Sequence, residues 1–335
     1  MKELISTGAN RSIALVGISK NSGKTTLLNS ILHDYPEHDW GVFSTGSDGE
    51  EKDRLFKTPK PRVELPAGTF FCCDALTLDA HGSSVELLAS SSYSGRKLFI
   101  ARAIHSVDTQ ITGPSTTKQQ TKIVQKLFSL GAEKVIIDGS LDRKSIALED
   151  EVDALVLCIG ASFGDPQQII NEIRRLLLLR DIPKIDSGNY LRTRFTSAQG
   201  ILTQRQGKWY ESGIQSLINH EKKIMEDLNS ETTALFVPTS FTDSLYDKLG
   251  KAIAQSGIDL IFRHPECIKL SLAKLQKLMD HTRISTLIPF KLKAYALNST
   301  AIASDPIAAD IFRQEIRAAF PQISFIDIME VRYAG

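Results

Sequence analysis

The sequence predicts an α/β protein in which a mainly parallel sheet is covered by helices. Three observations carry that prediction. Short apolar runs alternate with helical patterns along the first 180 residues. A glycine-containing loop sits between the first run and the first helical pattern. The texture changes after Pro183, and strand-like runs then resume to the end.

The elements follow in order. Ile13-Ala14-Leu15-Val16 is the core of the first strand, and a helix follows near 24–33. Trp40 to Ser44 is the second strand, with a polar segment from Thr45 to Asp53 behind it. Arg62–Leu65 and Thr69–Cys72 flank Pro66-Ala67-Gly68, which reads as a hairpin. Lys97 to Ala101 is a strand, and Gly113-Pro114-Ser115 opens a helix near 115–130 with Ser115 as its cap. Lys134 to Ile137 is a strand that ends at Asp138, and Ala154 to Ile159 is the next. Pro166 stands at the first turn of a helix over 166–180. Residues 190–212 read as a hairpin turning at Gly207-Lys208, followed by a polar helix near 213–229. Strands are expected at 234–237, 258–262, 284–289, 293–297 and 323–326, and helices near 241–255, 269–280 and 306–319. A single boundary near 187 divides the chain.

The loop is the most informative stretch. Gly17-Ile18-Ser19-Lys20-Asn21-Ser22-Gly23-Lys24-Thr25-Thr26 has the strand-before, helix-after setting of a phosphate-binding P-loop. Backbone N–H groups of such a loop converge on one concavity, and the helix N-terminus adds its positive dipole end. Gly17, Lys20, Asn21, Ser22, Gly23, Lys24, Thr25 and Thr26 are the candidate nucleotide-binding residues. Lys24 would reach the β- and γ-phosphates and Thr25 would ligate Mg²⁺. Five residues separate Gly17 from Gly23, one more than in the usual pattern. The fold expected is therefore a mainly parallel-sheet P-loop NTPase domain over 1–187, with a second, smaller α/β module over 188–335 for partner binding or coupling.

Mg²⁺ needs oxygen ligands. Val135-Ile136-Ile137-Asp138 is an apolar strand ending in a carboxylate, so Asp138 is a candidate for both metal and catalysis. An Asp capping the turn with Gly139-Ser140 is the plainer reading. The acidic turn after the second strand emerges on the same carboxyl edge of the sheet, where ligands bind. There Asp48 is the second metal candidate, and Glu50 and Asp53 are candidates for orienting an attacking water; a solvated acidic turn is the plainer reading. Asp142-Arg143-Lys144-Ser145 offers a cation to the transition state or is a charged loop. Guanine recognition usually rests on an Asn-Lys-x-Asp loop. The nearest match, Pro183-Lys184-Ile185-Asp186, lacks the Asn, so ATP is favoured over GTP.

Composition narrows the class. With 335 residues, 42% hydrophobic and 24% charged, the chain is long enough for two globular domains. A net charge of +1 gives no bulk electrostatic case for nucleic acid or membrane. The basic run Lys57–Arg62 is short and proline-broken. No apolar run approaches the roughly 20 residues of a membrane span. Arg174, Arg175 and Arg180 bracket Leu176–Leu179, a buried helix face. No signal-peptide pattern precedes Arg11, and the four cysteines match no zinc or disulfide framework, so a cytoplasmic location is expected.

The long-spaced loop resembles the dethiobiotin synthetase and MinD-like branch of P-loop proteins. That branch often carries an extra lysine early in the loop. Lys20 lies near that place with Ser19 at the aligned position, and no role across a dimer interface is assigned to it. Several phrases together are similar to the P-loop reactivase subunits of adenosylcobalamin-dependent lysine 5,6-aminomutase. They are the 16–26 loop, Thr45–Glu50, Lys60-Pro61-Arg62-Val63, Gly113-Pro114-Ser115, Ile136–Ser145 and, near the end, Phe325-Ile326-Asp327-Ile328. The resemblance implies an ATPase that remodels or reloads a cobalamin enzyme. The expected partners are a nucleoside triphosphate and a protein, either such an aminomutase or a second reactivase subunit, with a homodimer as a further expectation. Two rivals stand beside this reading. One is a small-molecule kinase or a dethiobiotin synthetase-like ATP-dependent ligase. The other is a nucleotide-gated binding protein with little turnover.

Overall fold

A computed structural model describes residues 1–45, 62–93, 96–139, 151–186, 188–228, 231–300 and 309–333. In chain order, α1 (Lys2–Ser6), β1 (Ser12–Gly17), α2 (Lys24–Asp34) and β2 (Trp40–Ser44) come first. They are followed by β3 (Val63–Leu65), β4 (Phe70–Cys73), α3 (Ala75–His81), β5 (Val85–Tyr93), β6 (Arg96–Ala103) and β7 (Val107–Thr109). Then come α4 (Thr117–Ser129), β8 (Lys134–Asp138), β9 (Ala154–Gly160) and α5 (Pro166–Arg180). The next stretch holds α6 (Asn189–Ser197), β10 (Leu202–Arg205), β11 (Lys208–Glu211), α7 (Glu221–Asp227), β12 (Thr232–Val237), β13 (Phe241–Thr242) and α8 (Asp243–Ser256). β14 (Asp259–Phe262), β15 (Ile268–Lys269), α9 (Leu272–His281) and β16 (Ile284–Thr286) complete it. The chain closes with β17 (Leu292–Asn298), α10 (Ala309–Ala319), β18 (Phe325–Asp327) and α11 (Ile328–Tyr333).

Among the described residues the larger sheet has nine strands, in the order β18-β17-β9-β1-β8-β2-β4-β6-β5. From β18 to β4 every neighbouring pair is parallel, and β6 and β5 add an antiparallel edge. The inner strands are apolar almost throughout because both faces are covered. β9 is buried over all seven of its residues, and β1 over its first five. Asp153 holds the amino end of β1 against β9. Its Oδ2 accepts from the N–H groups of Arg11 and Ser12 and from the Ser12 hydroxyl, each at 2.9 Å. The carboxyl ends of β1, β8, β9 and β17 are thereby brought to one edge in fixed register.

The chain forms two compact units, Met1–Ile169 with Lys291–Gly335, and Ile170–Phe290. The second unit has its own five-stranded sheet, β11-β10-β12-β14-β16, in which β12, β14 and β16 are parallel. Phe195 stacks on Phe236 at 4.4 Å, and Trp209 meets Phe195 edge-on at 4.9 Å in its core. The single boundary expected near 187 does not describe this path. β17 and β18 pair back into the nine-stranded sheet, so the second unit is an insertion between β9 and β17.

Several local expectations are also corrected. β3 and β4 do not form a hairpin: β3 pairs with β7, and β4 with β2 and β6. Gly68 (φ +93°) turns the chain between them, but the strands continue into different sheets. β5 carries no apolar alternation and was not expected. It pairs with β6 through a register shift between Leu87 and Ala89, and Leu87 is exposed. Residues 189–197 are helical, and the hairpin begins only at β10. Thr116, not Ser115, precedes the first turn of α4.

His264, just past β14, is half-buried; its Nδ1 is buried without a hydrogen-bond partner among the described residues, and its Nε2 lies 3.7 Å from Cys267 Sγ. Burial, helped by the charges of Arg263 and Lys269, lowers its pKa to about 4. The folded pKa lies below that of the unfolded chain. The unfolded state therefore binds more protons between about pH 6.5 and 4. The stability carried by neutral His264 is complete above pH 6.5 and is lost as pH falls towards 4. The loss is of the order of 3 kcal/mol. Denaturant unfolding of the parent and His264→Gln at pH 7.5 and 4.5 is expected to show a smaller acid loss in the variant. Equal losses would remove His264 from the acid response.

Candidate functional site

β1 ends at Gly17 and α2 begins at Lys24, so six residues must turn the chain at the carboxyl edge of the sheet. The turn is seated by backbone and by missing side chains. Ile18 N–H donates to the Cys158 carbonyl at 3.1 Å. The Ser162 hydroxyl donates to the Lys20 carbonyl at 3.5 Å. Asn21 (φ +61°) and Gly23 (φ +91°) take left-handed conformations that reverse the path. A Cβ on Gly160, the last residue of β9, would lie 2.7 Å from Ser22 Cα. A Cβ on Gly23 would lie 2.8 Å from both Asn298 Cβ and Ile328 Cδ1. A Cβ on Gly17 would collide with Ser22 Oγ and lie 3.1 Å from Lys24 Nζ. The Lys24 ammonium therefore folds over the end of β1, and α2 presents its N-terminal N–H groups on the same edge.

Asp138 ends β8, the strand directly beside β1, in register with Leu15. Its backbone is held on both sides. Gly139 N–H donates to the Leu15 carbonyl at 3.0 Å, and Thr45 N–H to the Asp138 carbonyl at 2.9 Å. Its Oδ1 is buried and has no hydrogen-bond partner among the described residues, and the same holds for Ser22 Oγ. Burial raises the Asp138 pKa, and the positive charge of Lys24 lowers it in part. Cys158 in β9 feels the same surroundings, and burial pushes its thiol up to about 12.

Of the sequence candidates, the loop residues 17–26 and Asp138 lie at this one edge, with Lys24 and Asp138 close enough to interact electrostatically. Lys20 and Asn21 are at the surface, Ser22 is buried, and Lys24, Thr25 and Thr26 are half-buried. Asp48, Glu50 and Asp53 lie outside the described residues, as do Asp142 to Ser145. Gly113 comes to the same edge, where a Cβ would collide with the Ser44 carbonyl. The Pro183–Asp186 segment belongs elsewhere: Lys184 bridges Thr286 beside β16 in the second unit. Three residues that the sequence did not place beside the loop lie against it, Gly160, Asn298 and Ile328. The available signal was a small or polar residue closing an apolar strand, as in Cys158-Ile159-Gly160 and Ala296-Leu297-Asn298.

The donor set fits hard oxygen chemistry. A glycine-containing loop with a lysine at a helix N-terminus suits an anion, and a buried carboxylate with an unpartnered oxygen at the same sheet edge as Thr25 suits Mg²⁺. Among the described residues no three His, Cys, Asp or Glu side chains converge as a ligand group, so waters or the anion itself would have to complete such a metal's shell. No helix among the described residues is long and apolar enough to cross a membrane. The chain matches no protein-family model, and no curated protein is significantly similar to it.

Gly160→Ala tests the seating of the loop. The added methyl must displace Ser22 or β9, an overpacking cost of about 1–3 kcal/mol. A matching fall in thermal or urea midpoint is expected, and an unchanged midpoint would mean that the loop gives way freely.

Proposed function

We propose that this chain is a Mg²⁺-dependent nucleoside triphosphatase of P-loop type, favouring ATP, whose cycle drives a change in a protein partner. One observation carries the reading. A glycine loop leading into α2 lies at the carboxyl edge of a parallel sheet, beside the buried Asp138 at the end of the neighbouring strand. In this reading Gly17 to Thr26 wrap the phosphates with backbone N–H groups, and Lys24 leaves its place over Gly17 to meet the β- and γ-oxygens. The Thr25 hydroxyl and the Asp138 carboxylate hold Mg²⁺, which when bound neutralises charge on the β- and γ-phosphates. Asp138 must be ionised to do so, and burial makes that harder, so protons compete with the metal. Glu50 is proposed to orient the attacking water, with Asp48 as a further oxygen near the metal. Water attacks the γ-phosphorus, the bond to the β–γ bridging oxygen breaks with its electron pair staying on the departing nucleoside diphosphate, and the water's two protons go to the phosphate and to solvent.

Topology favours coupling. The chain departs for the second unit within α5, which follows β9, the strand whose last residue packs on Ser22. The resemblance to the reactivase subunits points to an adenosylcobalamin-dependent aminomutase as the partner. A partner-binding state favoured by ATP can shift such a mutase only by its differential affinity for the two mutase conformations.

Phosphate release tests the site. Lys24→Ala is expected to lower turnover on the order of 10²–10³-fold, the range for loss of one transition-state donor, with the fold intact. Asp138→Asn is expected to move the Mg²⁺ titration to higher concentration more than it weakens nucleotide binding. Parent-like release by Lys24→Ala would overturn the reading. Superimposable Mg²⁺ curves would make Asp138 a turn residue. The partner is tested separately, by adding the protein, ATP and Mg²⁺ to an inactivated aminomutase. Recovered activity that ADP cannot elicit is expected; none at all would remove the reactivase role and favour a small-molecule kinase or ligase.

A further inference from the structure

The last glycine of the loop leans on two residues from the far end of the chain, and a single arginine joins the segments that carry them. We propose that Arg313 and the buried Asp327 are a positioning pair for the loop, setting nucleotide affinity by fixing the wall behind Gly23. The inference rests on the nucleotide reading of that loop.

The wall consists of Asn298, where β17 ends, and Ile328, where α11 begins. Both are buried, and both come within 2.8 Å of the Cβ that Gly23 lacks. A shift of either therefore moves Gly23, the residue that directs the chain into Lys24. Neither segment is held by its own element alone. Arg313, on α10, donates from Nη1 to Ser299 Oγ at 3.2 Å and to Asp327 Oδ2 at 3.3 Å. Ser299 follows Asn298, and Asp327 precedes Ile328. Asp327 Oδ1 accepts from the Met329 N–H at 2.8 Å, which caps α11. Asn298 Oδ1 accepts from the Thr300 N–H at 3.3 Å. Arg313 Nε is paired with Glu330 at 3.3 Å, Arg317 grips the same Glu330 at 2.7 Å, and Asp310 takes the other Arg313 nitrogen.

The energetics argue for geometry rather than bulk stability. The Asp327 side chain is wholly buried, and a buried ion pair is weak evidence for net stabilisation because desolvation offsets the attraction. What the pair supplies is a fixed distance between two loops. The guanidinium reaches Ser299 and Asp327 from Nη1 while its Nε and Nη2 are held by Glu330 and Asp310, which fixes its plane; a lysine supplies charge without those further donors. Linkage then demands reciprocity: if the pair tightens the loop on phosphate, phosphate must tighten the pair.

Three variants, Arg313→Lys, Ser299→Ala and Asp327→Asn, are compared with the parent and with Lys24→Ala. ATP affinity is read by calorimetry, turnover by phosphate release, and the Met329 amide by hydrogen exchange. Arg313→Lys and Asp327→Asn are expected to raise Kd and KM about tenfold, with kcat within about twofold of the parent. Ser299→Ala is expected to raise them by a smaller factor. Saturating ATP should slow Met329 exchange in the parent and not in Asp327→Asn. If Asp327→Asn does not fold, Arg313→Lys and Ser299→Ala decide the matter alone. Parent-like affinity in the folded variants, with Lys24→Ala inactive, overturns the positioning role and leaves the nucleotide site standing. A parent that binds no ATP overturns both.

Discussion

Three absent side-chain carbons decide how the rest of the site is built. The turn after β1 has room only because Gly17, Gly23 and Gly160 carry no Cβ. Gly160 lets Ser22 rest against the end of β9, Gly23 lets the start of α2 rest against Asn298 and Ile328, and Gly17 leaves space for Ser22 Oγ and Lys24 Nζ. The turn is thus packed against the end of β9 and against the side chains of Asn298 and Ile328, and α2 begins with its N-terminus at the sheet edge. Such a surface attracts anions in proportion to how rigidly it is held.

Rigidity comes from both ends of the strands. At the amino end, Asp153 fixes β1 to β9, and the Lys134 ammonium donates to the Asn10 carbonyl at 3.1 Å. At the carboxyl end, Asp138 stands in a buried spot that disfavours its charge, and Lys24 offers partial compensation. An oxygen held in that way is costly in a structural role, since a buried unpartnered acceptor forfeits about 1–3 kcal/mol. Its placement one strand from the loop gives that cost a purpose in the proposed chemistry.

Much of this was legible in the sequence, and the limits have physical causes. The β1–loop–α2 unit and the apolar strand ending at Asp138 are local features, so composition and spacing reveal them. β8 being the immediate neighbour of β1 is a long-range pairing that a single strand's sequence does not encode. β5 was missed because Ser90-Ser91-Ser92 lacks the alternation of a half-buried strand, and it lies at an exposed edge where no face must be apolar. The boundary near 187 followed a change in texture, yet sheet membership follows hydrogen bonding, and β17 pairs with β9 across the whole second unit. For the same reason Asn298 and Ile328 could not be attached to a loop some 270–300 residues earlier.

The central claim is that the Gly17–Thr26 loop binds the phosphates of a nucleoside triphosphate. Titrating ATP into the purified chain with Mg²⁺, by calorimetry and with inorganic phosphate as the comparison anion, tests it most directly. One ATP site per chain is expected, tighter with Mg²⁺ than without it, and far tighter than phosphate. Absence of binding heat and of any ATP-dependent rise in melting temperature would contradict it.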